Sequence, residues 1–141
     1  MGTNYLTAGP ISPATISQLI EKMSAKTDCG GLSMFLGQVR ADEVKGKKVK
    51  AIEYSAFVEL VIVEAEKIII EICYEFGDVK SIDIIHSTGV VRVGGISLLV
   101  CVSAGHRHQA TQACSKTVEL IKEKLPVWKK EIFEDNSHLW K

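Results

Sequence analysis

Three short runs hold the residues whose types and spacing point to chemistry. Arg40 closes FLGQVR, His106 and Arg107 stand in GHRHQA, and Lys122 and Lys129 lie on either side of Pro126 in KEKLPVWKKEIF. All are cationic or can become so, which points to an anionic ligand. An arginine offers a rigid fork of donors to phosphate or carboxylate, whereas a lysine is a point charge whose proton affinity falls on burial. Nucleotide loops of the GxxxxGK[ST] or GxGxxG type are absent, as is a GxSxG nucleophile elbow. Fixed positive charge is therefore the main chemical resource of this chain.

Each of these groups falls at the end of a predicted element, where side chains and backbone donors can converge. LSMFLGQV alternates as a strand and delivers Arg40. KVKAIEYSAF reads as the strand after it, the two forming a hairpin with a lysine-rich, mobile tip, ADEVKGKK; Glu53 and Tyr54 are expected at a polar edge. Before them, SPATISQLIEKM predicts a helix with Ser12 as N-cap, Pro13 at its first position, and Ile16, Leu19, Ile20 and Met23 on one face. From Phe57 to Phe76 polar residues recur every three to four positions, which predicts a long central helix. VKSIDIIHS, GVVRV and ISLLVCVSA read as three short strands split at Thr88-Gly89 and Gly94-Gly95, with His86 a partly buried strand-end histidine.

Ala110, Ala113, Cys114, Thr117, Val118 and Ile121 repeat at helical spacing up to Lys124, and Leu125, preceding Pro126, must leave the helix. The start of that helix either favours an anion beside Arg107 through its free amides and dipole or is an exposed turn with a capping histidine, and its last turn favours a cation at Lys122, which fits a structural role as well as a functional one. Val127 to Phe133 then reads as a strand with Val127, Lys129, Glu131 and Phe133 on one face. Lys129 thus sits among apolar neighbours beside Glu131, either paired with it or tuned in proton affinity. Arg107 and Lys122 are fifteen residues apart on one helix, roughly 22 Å. One small pocket of one chain cannot hold both, so a shared substrate requires a second copy, most simply a symmetric dimer.

Strands and helices in this order give an α+β fold, with about three helices on a mostly antiparallel sheet. The 141 residues suit a single domain, 1–141. Lysine plus arginine equals aspartate plus glutamate at 17 each, so no global field attracts nucleic acid or an anionic membrane. The basic KGKKVK run lacks the interleaved aromatics of an RNA-binding surface. MGTNYLTAGPIS does not read as a secretory signal, and Glu59, Glu64, Glu66, Lys67 and Glu71 interrupt the most apolar segment, which excludes a bilayer span. Cys29, Cys73, Cys101 and Cys114 lie far apart without metal-ligand spacing, and are expected as reduced packing residues of a cytoplasmic protein.

Taken in order, FLGQVR, IEYSAF, VSAGHRHQA and KLPVWKKE resemble the successive motifs of the molybdopterin synthase large, catalytic subunit family, from about Gly30 to Trp140. The resemblance implies an α/β hammerhead fold and a homodimer at the centre of a heterotetramer. A small ubiquitin-like sulfur-carrier subunit would bind at each end, inserting a thiocarboxylated Gly-Gly C-terminus. Its sulfur would pass to cyclic pyranopterin monophosphate, two transfers yielding molybdopterin, with no resident metal or cofactor. By the same resemblance Gln38, Val39, Arg40, His106, Arg107, Lys122, Lys129, Lys130 and Glu131 contact substrate, and Lys122 and Lys129 are the catalytic pair. Departures are Ser87, where the family pattern HRxG has arginine, and Gly105, where alanine precedes the HR pair. A non-enzymatic docking module for a Gly-Gly tail is the alternative; it would not need both lysines.

Overall fold

A computed structural model describes residues 5–141. The chain runs β1 (Leu6–Ala8), α1 (Pro13–Met23), β2 (Gly31–Gln38), β3 (Glu43–Val44), β4 (Lys47–Ala56) and α2 (Val58–Glu75). It continues through β5 (Val79–Arg92), β6 (Ile96–Ala104), α3 (Arg107–Lys124), β7 (Val127–Phe133) and β8 (His138–Trp140). The main sheet has the order β2-β6-β5-β4-β7-β8, with β1 parallel to β5 and all other pairings antiparallel. Three helices on a mostly antiparallel sheet is the α+β architecture expected from the pattern.

The core explains why β6 reads as an unbroken apolar run. Leu98, Val100, Val102 and Ala104 pack with α2 and α3, against Val61, Ala65, Ile68, Ile72, Ala113 and Ile121. Leu99 and Cys101 point the other way, to Ile11, Leu19 and Met23 at α1. Covered on both faces, the strand has no reason to alternate. Burying each large aliphatic side chain contributes about 1.5–3 kcal/mol, so this three-layer region anchors the fold. A smaller cluster of Val39, Val49, Ile52, Tyr54, Val91 and Phe133 holds the β4 and β7 half of the sheet. Ser12 caps α1 as expected, its Oγ accepting from the Thr15 amide at 3.2 Å.

Three expectations need correction. The strands around Gly89 are one: β5 runs unbroken through it, pairing with β6 up to His86 and with β4 from Gly89 onward. Gly89 takes φ +77°, a left-handed conformation that bends the strand between partners instead of reversing it. Nor do β2 and β4 form a hairpin, because β2 pairs along its length with β6. The lysine-rich tip is itself a tight β3–β4 hairpin, with Lys45 and Gly46 both at positive φ (51° and 78°), the geometry of a two-residue turn matched to strand twist. Finally, all four cysteines are free thiols, but only Cys101 and Cys114 are buried, and Cys73 is exposed. Burial pushes the Cys101 thiol up to about 11, consistent with an inert packing group.

The short strands β1 and β8 carry no expectation from the sequence. The reading of MGTNYLTAGPIS falls partly on residues 1–4, outside the described residues. No helix among the described residues is long and apolar enough to cross a membrane.

Candidate active site

Pro126 organises the site. Leu125 leaves α3 in an extended conformation (φ −71°, ψ 126°), its amide still bonded to Ile121 O at 3.0 Å, and β7 begins two residues later. The chain therefore turns back on itself between Lys122 and Lys129. Both face a cleft of about 280 Å³, walled also by Gln38 at the end of β2, Arg40 just beyond it, Tyr54 on β4 and His86 on β5.

Ion pairing sorts the cations of this region. Arg40 is held by Asp42, Nε to Oδ1 at 2.6 Å and Nη2 to Oδ2 at 3.4 Å. The hydrogen bond and charge of Asp42 raise the guanidinium further, so it stays cationic. Lys141 pairs with the buried Glu131 at 3.6 Å. Lys130 pairs with Glu53 at 3.1 Å and lies over the Trp140 ring, 5.4 Å from its centroid. Lys122 and Lys129 form no ion pair among the described residues. Burial, then the like charges of Lys122 and Lys129's other neighbour Lys141, lowers the Lys129 pKa below its ordinary value. Of the two settings the sequence leaves open for Lys129, pairing with Glu131 or tuned proton affinity, the geometry matches the second.

The expected site residues are not all gathered here. Gln38, Val39, Arg40, Lys122 and Lys129 line the cleft, although the Val39 side chain is core, with its amide donating to Gly95 O at 2.9 Å. Lys130 and Glu131 do not line it. His106 and Arg107 belong to a separate, broader depression at the opposite end of α3, with Gly30, His108, Thr111 and Gln112. There Asp78 already supplies an anion: its Oδ2 accepts from the His106 amide at 2.7 Å and lies 3.2 Å from the His106 ring. Burial acts to raise the Asp78 carboxyl, but the His106 hydrogen bonds and the charges of His106 and Lys80 outweigh it, and the net shift is downward. The helix start is thus partly occupied from within by Asp78, where the sequence left an anion site and an exposed turn with a capping histidine both open.

Other residues of the cleft escape the sequence reading. Tyr54, expected at a polar edge, is buried and donates its hydroxyl to Ser97 Oγ at 2.9 Å. His86 is buried in mid-strand, its ring 5.1 Å from that of Tyr54 at 74°. Burial lowers its pKa, the bond to Ser87 O opposes this, and Lys129 and Lys122 lower it further. The available signal was period two: Glu131, Lys129 and Val127 pair across β4 with Ile52, Tyr54 and Ala56, so Tyr54 stands beside Lys129.

An α+β sheet carrying a cation-lined cleft at the C-terminal end of one helix has the charge and the enclosure to hold a small anion. The family model described as MoaE protein matches residues 6–124, and the chain belongs to that family, the large subunit of molybdopterin synthase. The molybdopterin synthase catalytic subunit of Dictyostelium discoideum is 39% identical over 122 residues, covering 85% of this chain and 77% of that protein. The crystal structure of molybdopterin synthase from Staphylococcus aureus superposes with a TM-score of 0.87 at 29% identity, over 100% of this chain and 98% of that one. The fold recurs, at 18% identity and a TM-score of 0.80, in a protein–protein complex of subunits 1 and 2 of molybdopterin-converting factor from Helicobacter pylori, over 96% and 87% of the chains.

Proposed function

We propose that this chain is the catalytic subunit of a molybdopterin synthase, a sulfurtransferase that converts cyclic pyranopterin monophosphate to molybdopterin. The sulfur comes from the thiocarboxylated Gly-Gly C-terminus of a small ubiquitin-like carrier. The observation that carries the reading is the convergence of Lys122 and Lys129, without carboxylate partners, in one cleft with Arg40. Both reactants are anions, and holding them together in a partly dehydrated site requires fixed cations that are not already neutralised.

Arg40 binds the phosphate of the pterin through the guanidinium edge that Asp42 leaves open, on the side of Nη1. His106 and Arg107 serve the same end from a second copy of the chain, since their own copy presents them at the far end of α3. Lys122 and Lys129 meet the carrier's tail and stabilise the charge that develops as the thiocarboxylate gives up its sulfur. With its proton affinity lowered, Lys129 is also the general acid or base of the transfer. Gln38 and the backbone at Val39 shape the wall, and Lys130 and Glu131 support it from outside: Glu131 holds Lys141 at the cleft, and Lys130 ties β7 to β4 through Glu53.

The test combines the pure protein, a thiocarboxylated carrier and the cyclic pterin phosphate, with the dithiolene product read by mass spectrometry. Wild type is expected to form product. Lys129→Ala is expected to lower turnover by about 10²-fold or more while carrier binding persists. Undiminished turnover in that variant removes Lys129 from the mechanism.

A further inference from the structure

His86 lies in the cleft but has no part in the reaction as set out above. Its Nδ1 is 2.8 Å from Ser87 O. A carbonyl oxygen can only accept, so Nδ1 carries the proton and Nε2 presents a lone pair. Ser87 Oγ is the one sealed side-chain nitrogen or oxygen without a partner among the described residues. No described residue bonds His86 Nε2, and His86 lines the cleft. The ring is fixed from both sides, by the Ser87 carbonyl and by Tyr54, itself held through its hydroxyl to Ser97.

The surroundings give this lone pair a purpose. Arg40, Lys122, Lys129 and Lys141 line the cleft as cations, and its one carboxylate, Asp42, is engaged by Arg40. Such a wall grips any small anion and discriminates poorly among them. A further carboxylate would supply an acceptor but would pair with a lysine, as Glu131 does with Lys141. A neutral imidazole supplies an acceptor without cancelling positive charge. Pterins carry ring N–H and exocyclic amino donors, which a simple phosphate lacks.

We propose that His86 is the specificity residue of the cleft, its Nε2 accepting a hydrogen bond from an N–H of the bound pterin. The inference rests on the sulfur-transfer reading above and names the contact by which that site tells a pterin phosphate from other anions. A site built around a hydrogen bond rejects ligands that lack the matching group, because its own polar atom is then left unpaired.

The experiment measures KM and kcat for cyclic pyranopterin monophosphate with the carrier-bound protein, and inhibition by inorganic phosphate, in three forms of the chain. His86→Asn keeps an amide donor for Ser87 O and removes the acceptor at the ε position. It is expected to raise KM about tenfold, with kcat and phosphate inhibition within about threefold of wild type. His86→Gln, which can present an oxygen near the ε position, is expected to recover most of the loss. Should the asparagine variant melt below the assay temperature, His86→Met against His86→Gln makes the same comparison. An unchanged KM, an equal loss for phosphate, or a glutamine variant as poor as asparagine overturns the proposal. If wild type forms no product the sulfur-transfer reading falls and this inference with it; if wild type forms product and the pattern is missing, only the inference falls.

Discussion

At the C-terminal end of α3, Lys122 and Lys129 face a cleft whose one lining acidic side chain, Asp42, is taken by Arg40, while at the N-terminal end of the same helix His106 is held by Asp78. The dipole favours cations at the first end and anions at the second, so each end holds the charge its helix stabilises. What differs is completeness. The cleft combines unpaired cations, a paired arginine and a fixed histidine on four different elements, enough for a small anionic ligand. The depression offers Arg107 and two histidines on one helix turn, with little to enclose a ligand. Such a surface becomes a wall of a site only when something is laid against it, and in the proposed dimer a second copy bringing its own cleft would join them.

That reading breaks most visibly in a mixing experiment. Lys129→Ala and Arg107→Ala are each expected to be nearly inactive alone. If a working site takes Lys129 from one copy and Arg107 from the other, a mixed dimer contains one intact site of two. Random exchange at equal concentrations then restores about a quarter of wild-type turnover. A site contained in one chain restores none, and the measurement is product formed before and after subunit exchange.

The second test sharpens the account of the α3 start. A Cβ on Gly105 would lie 2.5 Å from Asp78 Oδ1, and that carboxylate is what caps His106. Gly105→Ala therefore displaces the cap, and overpacking of this kind costs about 1–3 kcal/mol, read as a lower Tm. The pH dependence has a definite sign. Because the folded pKa of Asp78 lies below its ordinary 3.8, its stabilisation is present above that value and lost as pH falls through the folded one. The deficit of Gly105→Ala should accordingly narrow in strong acid, where wild type has lost the same contribution. A deficit independent of pH would mean that the glycine matters for some reason other than Asp78.

The sequence made the ends of elements legible and the pairing between them much less so. Ser12 and Pro126 punctuate α1 and α3 through purely local sterics and hydrogen bonding, and both ends lie where those rules put them. Period two also put Lys129 and Glu131 on the same face of β7. Gly89 misled because a left-handed glycine reads the same in a turn and in a bent strand, and only the strands beside it decide. The same gap hid the inner wall of the cleft. Tyr54 and His86 look like ordinary strand residues until β4 is known to lie between β5 and β7, and Asp78 stands 28 positions from the His106 it caps.

The smallest effect bears most directly on the unpaired cations. Lys129 has a folded pKa below its ordinary 10.5, through burial first and then Lys122 and Lys141. The unfolded chain binds that proton more tightly, so at every pH below the folded value the charged lysine is held at a cost. The cost fades as pH rises from the folded value toward 10.5. Lys129→Met keeps the aliphatic stem and removes the charge, and is expected to raise Tm at pH 7 on the order of 1–3 °C, a figure kept low because the side chain is partly solvated. The gain should shrink in alkali. Lys130→Met, one residue along but bonded to Glu53 and set over Trp140, should show no gain, since it removes an attraction and not a repulsion. A variant at position 129 that melts later and turns over nothing would mark that lysine as kept for reaction at the expense of stability. One that melts earlier would mean that Lys129 has a stabilising partner, and the contrast between the two ends of α3 would lose its basis.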